Sequence, residues 1–357
     1  MNVFKRIDGR YEGRIPSGKK SNGKRNFQYI IARTKEEVIS RIKDIRKKEQ
    51  LCNNCSKSIE VVFNEWFKSI QYQIKESTKA NYKMKADKHI LPYFGEKSID
   101  SIVQDDIYTF IADRRKKKLS DRYISDIIIL MKVIFKFAVR TYNISNPMIG
   151  ITLPKRKNTE IQLLDKAEQY KLQSYIAENQ NLGTLGTALS YSTGIRIGEL
   201  CALQWKDIDL EKRILTVSKT MQHIQCKNGI NKTKLIITDP KSDSSKRKIP
   251  IPECMMSFLC KFKGEANKYI VSGSEIPVEP RTMQYRFSKI LKNAKLPSVH
   301  FHALRHIFAS TCVKLGFDIK SLSELLGHSS VEITLNRYVH SSFEQKQEYM
   351  GKINFQF

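Results

Sequence analysis

Long apolar runs are missing from this chain. The most apolar stretch, Ile127 to Met131, is five residues long, against the roughly 20 a helix needs to cross a bilayer. No signal peptide is recognisable either, so a cytosolic protein with no membrane partner is expected. Cysteine is sparse and scattered, seven in 357 residues, which argues for reduced thiols and against a disulfide framework. Cys52 and Cys55 form one CxxC, but no second pair or suitably spaced histidine accompanies it, so no zinc site is expected. Acidic residues are in short supply, 36 against 63 Lys and Arg, for a net charge of +27 and a pI near 9.7. No acidic cluster is available to complete a metal site. An excess of this size implies a polyanionic partner. Because no amphipathic basic helix dominates, nucleic acid is favoured over a membrane surface.

What is present suggests two or three domains. Residues 1–55 read as a small basic module. DGRYEGRI and RNFQYIIA suit two strands separated by the turn IPSGKKSNGK. Thr34 and Glu37 have capping-box spacing for a helix to about Glu49, with Val38, Ile42 and Ile45 as its apolar stripe. Residues 56–151 read as helical. VVFNEWFKSI is amphipathic, and STKANYKMKADKHILPYFG suits a helix capped by Ser77 and stopped at Pro92. Lys79, Tyr82, Lys83 and Lys85 crowd that helix; with Tyr82 and His89 interleaved among the charges, it is a candidate phosphate-contacting face. Two further helices fit DDIYTFIADRRKKK and SDRYISDIIILMKVIFKFAVRTY. TLPKRKNTEI (152–161) reads as a hinge. From 160 to 357 the pattern is mixed and mainly helical, with strands in ILTVSK, KLIITDP and KRKIPI. Lys241 opens the Ser/Asp-rich turn between the last two. PRTMQYRFSKILKNA (280–294) is a basic amphipathic helix whose Arg286 is a candidate DNA contact. The fold class is therefore α+β and multidomain.

The most informative stretch is HFHALRHIFASTCVKLGFDIKSLSELLGHSSVEITLNRYV, residues 300–339. It suits three short helices. In the first, Leu304, Phe308, Thr311 and Leu315 fall within roughly 60° of one another at 100° per residue, forming a buried stripe, with His302, Arg305 and Ala309 opposite. Gly316 and Gly327 suit helix ends, Asp318 a helix start, and Ser329 with Glu332 a capping box for a third helix that carries Tyr338. His302, Arg305, His328 and Tyr338 are thereby brought to one place. A tyrosine hydroxyl titrates near 10 and needs help to act as a nucleophile. Guanidinium forks and imidazole N–H groups stabilise the charge that spreads over phosphodiester oxygens in a transition state. From these four residues alone, ordinary surface and packing roles are an equally good reading. Arg196 alone could likewise be a local ion pair with Glu199.

Upstream context changes the balance. Arg196 in SYSTGIRIGEL, Lys241 in K-S-x-x-S-x-R-x-I-P, His302-x-x-Arg305, His328 ending LGH, and Tyr338 occur in the order that defines the tyrosine recombinases. The chain resembles the phage and conjugative-transposon integrases of that family over residues 190–340, and no catalytic position departs from the pattern. The resemblance implies a 3′-phosphotyrosyl link made by Tyr338, with release of a 5′-hydroxyl. Arg196, Arg305 and His328 would stabilise charge, His302 would bind phosphate or move a proton, Lys241 would be the general acid, and Glu199 would hold local structure. It implies no metal, cofactor or ATP. Residues 1–55 would be an arm-type DNA-binding module, 56–151 a core-binding domain and 160–357 the catalytic domain. The partners implied are double-stranded DNA at core and arm-type sites and three further protomers in a tetramer on DNA; an excisionase or a host DNA-bending protein is a further partner class. The alternatives are a type IB topoisomerase, a metal-dependent relaxase reading of His300-Phe301-His302, and a DNA-binding regulator without catalysis.

Overall fold

The computed structural model describes residues 3–19, 25–52, 57–155, 162–225, 233–240 and 245–338, together with Gln347, Met350 and Gly351. The Ile45 side chain, the Cys52–Cys55 pair, Lys241 with its turn, and most of the tail after Tyr338 lie outside the described residues. The chain divides into two compact units, Met1–Asn158 and Thr159–Phe357, and is α+β as expected.

The first unit contains two separate apolar cores. In the amino-terminal part the strands are β1 (Val3–Lys5), β2 (Tyr11–Lys19) and β3 (Arg25–Ala32). They form one antiparallel sheet in the order β1-β2-β3. That is one strand more than expected, and β2 runs on into the stretch read as a turn. Helix α1 (Lys35–Cys52) starts where Thr34 Oγ1 accepts from the Glu37 amide at 3.3 Å. Val38 and Ile42 bury themselves against Ile15, Ile30 and Ala32. Phe4 and Tyr29 stay exposed on the sheet, with the Arg14 guanidinium over both rings at 5.8 and 5.4 Å.

The second core belongs to a helical bundle: α2 (Ile59–Ile70), α3 (Glu76–Lys85), α4 (Leu91–Phe94), α5 (Gln104–Lys116) and α6 (Asp121–Tyr142). Ser58 and Ser120 cap α2 and α6. Lys75, not Ser77, is the N-cap of α3. The helix also does not stop at Pro92. A π-helical turn, Ala86–Ile90, carries it into α4, with Pro92 in the first turn of α4 and the Leu91 amide bonded back to Ala86 O. The wider turn re-sets the hydrogen-bond register so that a residue lacking an N–H is tolerated. The expected hinge begins later than residue 152. Leu153 packs on the bundle core, and Ser125 Oγ donates to Pro154 O at 3.1 Å. Residues 156–161 lie outside the described set.

The second unit runs α7 (Lys166–Glu178), α8 (Leu182–Thr193), α9 (Ile197–Cys201), β4 (Ile208–Asp209), β5 (Ile214–Val217), β6 (Thr220–Gln225), β7 (Thr233–Thr238) and β8 (Arg247–Pro250). It closes with α10 (Met256–Lys261), α11 (Pro280–Asn293), α12 (His302–Lys314), α13 (Ile319–Leu326) and α14 (Val331–Tyr338). β4-β5-β8 make one antiparallel sheet and β6-β7 another, so KLIITDP and KRKIPI belong to different sheets. Helix α14 begins at Val331, which puts Ser330, rather than Ser329, in the position before it.

Helix α12 departs from its expected stripe. Leu304 is fully buried, but Thr311 is exposed and Leu315 is 71% exposed. Ala303, Leu304 and Ile307 enter the main core with α8 and α11. Ala309 and Cys312 enter a second cluster with Leu322, Leu326 and Tyr338. Packed on two sides, α12 is enclosed from Ala303 to Ile307, and only His302 at its start and the last turn emerge into water. Gly194 ends α8 at φ +65°, where an added Cβ would sit 2.5 Å from Phe308 Cδ1 and 3.1 Å from Leu326 Cδ2. Gly194→Ala combines left-handed strain with overpacking and should cost about 2 kcal/mol. A lower urea midpoint at unchanged m is the expected result; an unchanged midpoint would refute this account of the α8–α12 contact.

Candidate active site

The site is gathered at the carboxyl end of α13. A helix end leaves its last carbonyls without intrahelical donors and carries partial negative charge. Three consecutive carbonyls here each accept from a different arginine. Arg247 Nε donates to Leu325 O at 2.6 Å, Arg305 Nη2 to Leu326 O at 2.6 Å, and Arg196 Nη2 to Gly327 O at 2.8 Å. Arg305 Nη1 also donates to Gly194 O at 2.9 Å. Gly327 takes φ +63°, the left-handed turn that ends the helix and sends the chain on to His328.

One carboxylate binds two of these cations. Arg196 is the N-cap residue of α9 and Glu199 its third residue, so the carboxylate reaches back to the Arg196 amide at 3.0 Å and to its Nη1 at 2.7 Å. The same carboxylate takes Arg247 Nη1 at 3.2 Å and Nη2 at 3.0 Å. Burial alone would raise the Glu199 carboxyl; Arg247 and then Arg196 outweigh it and hold the group below its ordinary value. Arg305 is buried, and burial, followed by the neighbouring Arg196, pushes its pKa down. The Arg196 side chain is 33% exposed and is the open edge of the cluster. Three guanidiniums facing one carboxylate leave uncompensated positive charge where an anionic oxygen could be bound.

His328 leaves the α13 cap with its amide on Ser323 O at 3.1 Å and its Nδ1 at 2.8 Å from Thr334 Oγ1. Burial first, then Arg305 and Arg196, pushes its pKa down to about 4, so the ring is neutral near pH 7. His306 is likewise pushed to about 4, by burial and then Arg337. Tyr338 is 8% exposed. Its ring lies 6.3 Å from that of His328 with 4° between planes, and 5.4 Å from His306. The Tyr338 hydroxyl is buried with no hydrogen-bond partner among the described residues. Burial raises its pKa; Arg305, Arg337 and Arg196 oppose that rise. His302 is exposed at the start of α12, edge-on to His306 at 4.9 Å.

Arg196, Arg305, His328 and Tyr338 are therefore brought together, with His302 alongside through His306. Lys241 lies outside the described residues; β8 and Arg247 follow it closely in sequence. Arg305 is not on an open helix face, as the stripe implied, but buried between α8 and α13. Three residues were given no role from sequence. Arg247 stands inside the K-S-x-x-S-x-R motif, which was the available signal. His306 directly follows Arg305. Thr334, fully buried at helical spacing from Tyr338, gives no signal of its own.

The candidate DNA contacts fare unevenly. Lys83 is exposed, while half-buried Lys79 pairs with Glu76 at 2.5 Å. Lys85 turns inward, 3.8 Å from Asp126, with its ammonium over Tyr123. Tyr82 packs on Trp66 at 5.6 Å, and His89 is buried 3.2 Å from the Tyr123 hydroxyl. Arg286 Nη1 donates to Val271 O at 2.7 Å. The exposed stripe of α11 is instead Arg281, Tyr285, Lys289 and Lys292, at i, i+4, i+8 and i+11.

Residues 156–345 match the family model described as phage integrase family. The chain belongs to that family. Residues 59–113 match the phage integrase N-terminal SAM-like domain. A XerC-like tyrosine recombinase of Caldanaerobacter subterraneus subsp. tengcongensis is 27% identical, over 96% of this chain and 95% of that one. The ICEBs1 integrase of Bacillus subtilis is 23% identical over 99% of both. A Tn1549 transposon integrase fragment, solved with a circular intermediate DNA, shares the fold at a TM-score of 0.69 and 24% identity, covering 83% of this chain and 99% of that chain. A lambda integrase dimer bound to a COC′ core site has a TM-score of 0.61 at 20% identity, covering 100% of this chain and 97% of that chain. The protein is a tyrosine recombinase, an enzyme that breaks and rejoins DNA strands.

Removing Arg247 tests the electrostatic account. Arg247→Met leaves Glu199 buried beside one cation and should cost about 3 kcal/mol, as for other broken buried pairs. A carboxyl held below its unfolded value adds stability above the usual carboxylate range, and that stability is lost as pH falls through the folded pKa. With its main cation gone, the Glu199 carboxyl rises toward or above its unfolded value, so the variant should lose less stability on acidification than the wild type, and the gap between the two should narrow as pH falls through the carboxylate range. Denaturant unfolding from neutral pH down through and below the ordinary carboxylate range measures both effects, and identical pH dependences would contradict the assignment.

Proposed function

We propose that the chain is a mobile-element integrase in which Tyr338 attacks the scissile phosphate of a duplex held at the α13 arginine cluster. The observation that carries this reading is the buried Tyr338 hydroxyl, set beside the Arg305 guanidinium and within the field of Arg196. The Tyr338 oxygen forms the new bond to phosphorus, the bond to the 5′ oxygen breaks, and the phenol proton passes to His302 or to water. Arg196, Arg305 and His328 stabilise the charge on the non-bridging oxygens. Lys241 supplies the proton that the departing 5′ oxygen needs, and His302 contributes to phosphate binding or proton transfer. A partner strand's 5′-hydroxyl reverses the step, so the ester conserves the bond energy and no ATP is consumed.

By this reading residues 1–55 bind arm-type sites, residues 56–151 clamp the core site, and residues 160–357 cut. Supporting the first assignment, Arg14 lies over two exposed rings of the small sheet. Supporting the clamp are exposed Lys83 and the basic stripe of α11. Relatives solved on DNA include a lambda integrase tetramer bound to a Holliday junction, so a tetramer on two duplexes is the expected assembly. An excisionase or host DNA-bending protein would act on that assembly. The relaxase alternative is disfavoured because His302 opens α12 rather than lying on a strand. Type IB relaxation is separated from exchange by a strand-transfer assay on two sites.

Nicked suicide substrates test the chemistry. Tyr338→Phe should bind DNA normally yet form no covalent adduct; persistent adducts would identify another nucleophile. Lys241→Ala should slow cleavage by about 10²- to 10⁴-fold, the usual range for general acid catalysis. A bridging 5′ sulfur needs no proton to leave and should restore that variant, while Arg196→Ala stays impaired. A lysine variant that sulfur does not rescue would make Lys241 a phosphate contact.

The modules separate in a second experiment. Without residues 1–55, the enzyme should still cleave core sites but lose binding to a second class of site. Both affinities should fall with salt at a log–log slope of about −0.9 per phosphate neutralised. A folded truncation that fails to cleave core sites would reject the modular reading.

A further inference from the structure

Stabilising a phosphate oxyanion requires His328 to present an N–H, and a neutral imidazole has only one. Whether that proton sits on Nε2 or Nδ1 therefore decides whether the ring attracts or repels the substrate. The geometry points to Thr334 as the residue that fixes the His328 tautomer, its hydroxyl donating to Nδ1 so that Nε2 carries the proton and faces the phosphate. This inference rests on the proposed role of His328 and deepens it; Thr334 is a positioning residue, not a catalytic one.

Proton accounting decides between the two tautomers. His328 Nδ1 and Thr334 Oγ1 are 2.8 Å apart, a distance that fits donation in either direction. Thr334 is fully buried, at 0% exposure, and among the described residues the imidazole is the hydrogen-bond partner given to its hydroxyl. If Nδ1–H donated to Oγ1, the hydroxyl's own proton would be buried without an acceptor, which carries the full desolvation penalty of an unmade bond. If the hydroxyl donates to Nδ1, every proton in the pair is satisfied and Nε2 must hold the ring's N–H. The charges facing the ring come from several elements. Arg305 is on α12, Arg196 precedes α9, Arg247 is on β8 and Arg337 is on α14, and all four disfavour a second ring proton. The neutral ring is thus the species whose tautomer matters. Thr334 and Tyr338 are also on one helix, four residues apart, so the ring and the nucleophile take their positions from the same element.

Nitrogen NMR on protein carrying ¹⁵N-labelled histidine reads the tautomer directly; the chain has seven histidines, and His328→Gln assigns the signal. His328 should show the Nε2–H pattern in wild type and in Thr334→Ser, and a mixed or Nδ1–H pattern in Thr334→Val. Cleavage by Thr334→Val should fall roughly 10- to 100-fold, short of the 10²–10³ typical of deleting an oxyanion donor outright, with DNA affinity unchanged. Thr334→Ser should remain within about threefold of wild type, since the removal of one methyl keeps the donor. In a His328→Gln background, Thr334→Val should add no further loss, because there is no imidazole left to orient. A wild-type ring protonated at Nδ1 overturns the inference, as does a Thr334→Val ring and rate that match wild type. So does a valine penalty that persists in full without His328, which would make Thr334 a packing residue. Should Thr334→Val fail to fold, the wild-type and serine spectra still decide. Failure of the integrase reading is distinguishable, because it would appear as adducts from Tyr338→Phe whatever tautomer His328 holds.

Discussion

The carboxyl end of α13 is what the second unit is built to hold. Guanidiniums packed together repel one another, and in a partly desolvated site that repulsion is poorly screened. Three successive carbonyls of one helix end offset it, each hydrogen bond to a charged group contributing about 1.5–3 kcal/mol, and Glu199 takes two of the three cations as well. Each arginine comes from a different element: Arg196 before α9, Arg247 on β8, Arg305 on α12. The last turn of α13 therefore serves as the common anchor through which a sheet and two helices are brought into register. The charge left over is of the sign and place that a phosphodiester would neutralise.

Reading these positions from sequence succeeded or failed for physical reasons. The convergence of Arg196, Arg305, His328 and Tyr338 was legible because the motifs that carry them are specific. The helical wheel of α12 misled because periodicity assumes one wet side, whereas α12 is enclosed by two clusters. A buried arginine bonded to two carbonyls has the same letter as one in water. The same limit applies to Lys85, Tyr82 and Arg286. Charge counts mark a basic region but do not say which side chains turn inward to an aspartate, a tryptophan or a carbonyl. Arg247 shows the complementary lesson: its motif marked the residue, but not its contacts with Glu199 and the Leu325 carbonyl, which are distant in sequence.

Backbone chemistry was legible where a single residue type decides the outcome. Thr34, Asp318, Gly316 and Gly327 fell where capping and left-handed turns require them. Pro92 was misread because a proline lacks an N–H that an α-helix would use, and the sequence does not announce that a π-turn will remove the need for it. The strand count of the amino-terminal sheet was short by one because Val3–Lys5 is only three residues long, too few for alternation to show.

Little chain separates the Tyr338 phenol from the His328 ring beside it. His328 begins the eleven-residue stretch that ends at Tyr338, and its Nδ1 is tied to Thr334 on the same helix as Tyr338. Any displacement that lifts α14 away from the arginines withdraws the phenol and strips the imidazole of its partner in the same movement. Eleven residues of backbone thus couple the placement of the phenol to that of the imidazole beside it.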